Sequence, residues 1–230
     1  MKAMAALMLA IFCIGIDMYV VAALLPTMAA DLDETVSTLA VLISAYALPA
    51  ALLAPFFGPI SDRYGRRLVM LIGMVFFAIT VAGTAVAPSL GVMVVLRVLN
   101  GLGSAAVAPA VFAYAGDLPT VTQRSRAMGN LAMSYPLASL LGLPLGALLA
   151  GAVSWRATLA AIALLAVIAA VLIWRLPADR AKGDTAIGYG EGLRYAIGTR
   201  EVLAVLAVTF LWFLGPLGMF AFVADFFQTS

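Results

Sequence analysis

Long apolar runs separated by short polar turns make up most of the chain. A hydrocarbon core about 30 Å thick is crossed by about 20 helical residues. Seven windows reach that length, at roughly 4–25, 36–57, 68–87, 91–115, 127–150, 156–176 and 201–224. The polar turns are short except for PADRAKGDTAIGYGEGLRYAIGTR, residues 177–200. The pattern predicts an all-α polytopic membrane protein: six transmembrane helices over residues 1–176, a linker over 177–200, and a seventh helix within 201–230. The first window, following Lys2, also has the look of a signal peptide. It is long for one and Asp17 interrupts it, so it is expected to stay as a span.

The basic residues set the orientation, because cytoplasmic segments carry an excess of Lys and Arg. With the N-terminus inside, the inner segments hold Lys2; Arg63, Arg66 and Arg67; Arg124 and Arg126; and Arg175, Arg180, Lys182, Arg194 and Arg200, which is 11 of the 13 basic residues. The outer segments hold only Arg156, beside Trp155 at a membrane boundary. The first outer loop, PTMAADLDETVS, has three acids and no base. The expectation is a multi-pass protein of the plasma or inner cell membrane with a cytoplasmic N-terminus and a cytoplasmic linker.

Composition then removes several functions. Hydrophobic residues are 65% of the chain, charged residues 10%, and mean hydropathy is +1.12, whereas soluble domains carry about 25% charged residues. There is no basic tract for nucleic acid. Histidine is absent, which removes Ser-His catalysis and His-ligated zinc or haem. Cys13 is the one cysteine, so no internal disulfide forms, and in its apolar run it reads as a small hydrophobe. Phe12 before it does not fit a lipidation box. Residues 201–230 contain no Lys for a retinal Schiff base, and a receptor with an outer N-terminus would invert the charge bias. No enzyme activity, cofactor or metal is expected.

GPISDRYGRR, residues 58–67, places an Asp and three Arg within six residues of one another. Gly58 and Pro59 are expected to end span 2, and Gly65 to permit a tight turn. Asp62 can face a helix N-terminus, where an anion is favoured. Arg66 and Arg67 can hold acidic groups or lipid phosphates. A solvated positive-inside loop accounts for the arginines but not for Gly58, Asp62 and Gly65 at these spacings. The stretch resembles the signature G-x-x-x-D-R-x-G-R-R/K between helices 2 and 3 of the major facilitator superfamily, matched at Gly58, Asp62, Arg63, Gly65, Arg66 and Arg67. LRVLNGLGSAA in span 4 resembles that family's R-x-x-Q-G pattern at Arg97, Asn100 and Gly101, with Asn in place of Gln. RSRAMGNLAMSYPLASLLGLPLGALLAGAVSWRATL resembles the fifth span and the Trp-Arg that opens the sixth. GIDMYVVAALLP resembles the first span of the drug and sugar efflux branch, and GLPLG and SWRAT are similar to arabinose-efflux-like permeases.

The resemblance covers all 230 residues. It implies a twelve-helix fold of two six-helix halves around a central cavity, working by alternating access and usually coupled to protons. The chain would then be the N-terminal half plus the first helix of an incomplete second half, in the manner of a fragment. Its partners would be a small-molecule substrate, protons, the lipid bilayer and the missing second half. The resemblance also implies that Asp62 meets a helix of the second half and helps to lock the outward-open state. It implies that Arg66 pairs with Asp117 at the inner end of span 4. Antiporters of the superfamily often carry G-P-x-x-G-G in span 5. Here Gly142-Leu143-Pro144-Leu145-Gly146-Ala147 shifts the proline and drops the second Gly. Ser134, Ala138, Gly142, Gly146 and Ala150 still recur every four residues, a small-residue stripe on which another helix packs closely.

Asp17 and Arg97 are the ionisable residues inside spans. Each costs roughly 2.5–3.5 kcal/mol to insert at a helix centre, and such residues face a cavity or each other. Asp17 lies eight residues before the outer end of span 1, and Arg97 six residues after the outer start of span 4. That puts them about 12 Å and about 9 Å below the same edge. In the resembled fold both spans line the cavity, so a contact, direct or through water, is expected. Asp17 is the expected proton carrier, tuned by burial and by Arg97. A static packing pair is the alternative. Tyr46, Asn100, Ser104 and Tyr114 are candidate cavity residues, though each could instead satisfy a backbone group. Trp212, Phe213 and Phe220 in span 7 face lipid or a lipophilic substrate. The expected function is proton-coupled efflux of a drug, sugar or similar small molecule. The alternative is a non-transporting truncated or structural subunit that needs a partner half.

Overall fold

Inside a bilayer no water can bond the backbone, so each apolar run closes its own hydrogen bonds as a helix. The computed structural model describes residues 2–177, 198–200 and 203–204. It contains α1 (Lys2–Leu32), α2 (Val36–Leu39), α3 (Val41–Tyr64), α4 (Arg66–Val86), α5 (Leu90–Gly116), α6 (Val121–Ala152) and α7 (Trp155–Trp174). Among the described residues six helices are long and apolar enough to cross a membrane, α2 running on into α3 as one of them. They match the first six apolar windows. The seventh window lies outside the described residues apart from 203–204, as do Trp212, Phe213 and Phe220 and most of the linker. The chain divides into two compact units, 1–186 and 187–230. In the second, Leu203 N–H donates to the Thr199 carbonyl at 3.1 Å.

Helix ends follow local chemistry. Thr35, Thr120 and Ser154 cap α2, α6 and α7, each accepting a backbone N–H on its hydroxyl. Gly65 ends α3 at φ 97°, a conformation that glycine adopts without strain. Its N–H closes on the Ser61 carbonyl at 3.0 Å. Gly58 and Pro59, contrary to expectation, do not end the span: α3 runs through both, and through Pro49 and Pro55, as far as Tyr64. Each proline removes one helical hydrogen bond, and membrane helices tolerate that where side chains and local adjustment re-satisfy the carbonyls. Apart from those freed groups, the Ser61 hydroxyl donates to the Gly58 carbonyl at 2.7 Å.

The principal packing pairs are α3 with α5, α1 with α6, α4 with α5, α1 with α7, and α4 with α7. Exchanging the first three spans for the second three turns the α1–α6 pair into α5–α3. It turns α1–α7 into α5–α4 and α4–α7 into itself. Successive spans alternate in direction, so the two triplets form an inverted repeat, an arrangement common in transporter folds. Small residues let the pairs approach. A Cβ on Gly146 would stand 2.6 Å from Val20 Cγ2, one on Gly15 2.8 Å from Ala138 Cβ, and one on Gly142 would collide with Ile16. The buried stripe Ser134, Ala138, Gly142 and Gly146 is therefore the seam of α6 against α1. Pro144 is not part of it and lies on the exposed face of α6, because it is offset from the four-residue repeat.

Two inequalities matter below. In their most apolar windows α3 and α6 are each only 17% buried, against 44–61% for the other four spans. The α1 and α6 helices have 31 and 32 residues, whereas α4 and α7 have 21 and 20.

Candidate functional site

Arg97 and Asn100 lie three residues apart on α5, so they project from one face toward α1. There Asp17 Oδ2 accepts from Arg97 Nη1 at 2.6 Å and from Asn100 Nδ2 at 2.8 Å. Asp17 is 0% exposed and Arg97 2%. The other end of the Asn100 amide, Oδ1, stands 3.2 Å from the Thr80 hydroxyl on α4. From α3, the buried ring of Tyr46 lies 5.8 Å from the Arg97 guanidinium carbon. Gly101 makes that approach possible, since a Cβ there would collide with the Tyr46 carbonyl. Four helices thus converge on one acid and one base.

Three atoms of this cluster, Asp17 Oδ1 and Arg97 Nε and Nη2, are buried without a hydrogen-bond partner among the described residues. Removing two ions from water costs several kcal/mol apiece, which attraction offsets only if the remaining atoms are also bonded. The pair is therefore held together but incompletely satisfied.

Ser104, also buried, donates to the Gly101 carbonyl at 2.9 Å and is within hydrogen-bond reach of the Tyr46 side chain. Tyr114 packs at the edge of the apolar core. Thr80 carries no motif that marks it in the sequence. Its signal was a pair of hydroxyls, Thr80 and Thr84, four residues apart in an otherwise apolar span.

A second cluster lies at the α3–α4 turn. Arg66 opens α4 and pairs with Asp62 at 2.8 Å and Asp117 at 2.5 Å. It also donates to the Ala113 carbonyl. Arg67 donates to the Trp174 carbonyl at the end of α7, where a cation is favoured. The turn thereby ties together α3, α4, α5 and α7. Arg63 is exposed, 5.8 Å from the ring of Tyr64. Gly58 has open space where a Cβ would stand, so packing among the described residues does not explain it.

At the opposite end, Asp31 accepts from Trp155 Nε1 at 3.1 Å and pairs with Arg156. The Arg156 guanidinium lies 4.2 Å from the Trp155 ring centre. The sequence placed Trp155 and Arg156 at this boundary but did not single out Asp31 as their partner. The three acids of the adjoining loop, opposite one base, were the available signal.

A sequence model of the Major Facilitator Superfamily matches residues 7–230. The chain belongs to the major facilitator superfamily. It is accordingly a multi-pass membrane protein of a transporter family, not an enzyme. This superfamily member is 35% identical over 153 residues to the uncharacterized MFS-type transporter YwfA of Bacillus subtilis, covering 66% of the chain and 37% of that protein. It is 30% identical over 115 residues to multidrug resistance protein 2 of Bacillus subtilis, covering 50% of the chain and 29% of that protein. To the quinolone resistance protein NorA of Staphylococcus aureus it is 29% identical over 140 residues, covering 61% of the chain and 36% of that protein. The chain thus spans only about a third of the length of these relatives.

Proposed function

We propose that this chain forms the first half, and the opening of the second half, of a proton-coupled transporter that exports a small molecule by alternating access. The observation that carries the reading is the fully buried Asp17, held by Arg97 and Asn100, with Oδ1 unpartnered among the described residues. Protonation of Asp17 cancels its charge, weakens its hold on Arg97 and lets α1 move against α5. Loss of the proton re-forms the pair. A two-state contact of this kind is what a coupling ion needs in order to bias one conformation over another. Efflux of a drug, sugar or similar compound is supported by relatives named for multidrug and quinolone resistance.

The second half meets α3 and α6. These least buried spans turn large apolar residues outward, Leu48, Leu52 and Phe56 on α3 and Met133, Leu140 and Leu148 on α6. Asp62, 34% exposed at the end of α3, meets a helix of that half and helps to lock the outward-open state. The transporter sits in the plasma membrane with its N-terminus in the cytoplasm, as the distribution of 11 of 13 basic residues supports.

The test uses everted membrane vesicles containing the full-length transporter, a fluorescent cationic drug and a pH-sensitive dye. Wild-type protein is expected to move protons as the drug is transported. Asp17→Asn should still bind the drug but move neither it nor protons. Proton-coupled transport that survives in Asp17→Asn overturns the proposal.

A further inference from the structure

The α4 and α7 helices leave between them a groove of about 580 Å³, away from the Asp17 cluster. Its walls are apolar throughout. Leu71, Val75 and Ala82 line it from α4, and Leu164, Val167 and Trp174 from α7. From Leu71 to Ala82 is about 16 Å of helix, roughly half of a 30 Å hydrocarbon core. A spanning partner helix would need a groove of about twice that length. One lipid chain from one leaflet fits the length found.

Among the described residues, charge lies at one end of this groove only. Arg67 stands one turn before Leu71 on α4 and reaches across to the Trp174 carbonyl. Arg175, which is exposed, directly follows Trp174. Among the described residues, no acidic residue lines the groove. Trp174 is 61% exposed, and such amphipathic rings settle at the level of lipid headgroups. The far end, at Ala82 and Ala163, is apolar.

We propose that this groove is a lipid site. One acyl chain of an anionic phospholipid lies between α4 and α7, with its phosphate at Arg67 and Arg175 and its glycerol region beside Trp174. The groove selects a chain and the arginines select the headgroup, each favouring an anionic lipid about fivefold. The leaflet is the cytoplasmic one under the orientation proposed above, but the site itself does not depend on that orientation. Its test does not require transport.

The full-length protein is purified in detergent and titrated with phosphatidylglycerol or with phosphatidylcholine of the same chains. Native mass spectrometry then reads the lipid retained. The wild type is expected to retain phosphatidylglycerol about 25-fold better, and Arg175→Gln to reduce that preference about fivefold. Val75, 43% exposed within the groove, is replaced by Phe to fill it. Val75→Phe should lower retention of both lipids while circular dichroism remains that of the wild type. If that variant misfolds, Ala82→Leu obstructs the same wall. Equal retention of the two lipids by the wild type overturns the proposal. So does retention unchanged in a folded groove-filling variant, or a second protein copy held in place of lipid.

Discussion

Asp17 and Arg97 meet at 2.6 Å with neither more than 2% exposed, whereas the two acids on Arg66, at 2.8 and 2.5 Å, are 34% and 53% exposed. The groups are the same and the distances nearly so. Water makes the difference. Around Asp62 and Asp117 solvent screens the attraction, and Arg66, itself 7% exposed, keeps the other acid and the Ala113 carbonyl when one acid is lost, so each loss costs about 1 kcal/mol. Around Asp17 nothing replaces Arg97, so each ion depends on the other. A clasp that water can reach opens cheaply. A buried pair cannot trade its partner for water, so separating its ions exposes the full cost of each.

The largest expected effect comes from leaving one buried ion alone. Arg97→Met should cost about 3–5 kcal/mol, read by thermal unfolding of the full-length protein in detergent. The double variant Asp17→Leu/Arg97→Met should recover most of that loss yet stay inactive in proton-coupled transport. Equal destabilisation of the single and double variants would mean that the two ions are not coupled. Next comes Gly101→Val, on the same helix but without a change of charge. It forces a Cβ against the Tyr46 carbonyl and should cost about 1–3 kcal/mol as overpacking. Its pH dependence of unfolding should match that of the wild type, which separates packing from charge. Asp117→Asn should cost at most about 1 kcal/mol, and the cost should shrink as salt is added. The smallest effect is expected for Asp31→Asn, in the exposed pair with Arg156. Its melting temperature should coincide with that of the wild type in 1 M salt, where screening acts within about 3 Å. A loss there as large as that of Arg97→Met would break the comparison.

Six spans and the shared depth of Asp17 and Arg97 were legible because both follow from counting residues along a helix of fixed rise. Asn100 was legible as a candidate, but its role as a donor to Asp17 was not, since that depends on rotation about α5. Thr80 was hidden because a hydroxyl in an apolar span usually bonds its own helix, as Thr84 does to the Thr80 carbonyl at 2.8 Å and Thr80 does to the Phe77 carbonyl at 2.9 Å. The end of span 2 was misread at Gly58 and Pro59 because both residues break helices in water, whereas in a membrane the cost of unwinding exceeds the loss of one bond. Asp31 was obscured by lying 125 residues from Arg156, a separation that no local pattern spans.

The unequal helix lengths carry a mechanical consequence. With 31 and 32 residues, α1 and α6 extend about 46–48 Å, while α4 and α7, with 21 and 20, extend about 30 Å. All four cross the same hydrocarbon layer. The long pair must tilt or project, whereas the short pair already matches the layer and has no length in reserve. The apolar runs of α1 and α6, 4–25 and 127–150, are close in length to those of α4 and α7, so the surplus projects beyond the hydrocarbon rather than tilting the helices. The projecting end of α1 is what carries Asp31 out to Trp155 and Arg156, so the extra length serves as an arm that ties the first span to the sixth.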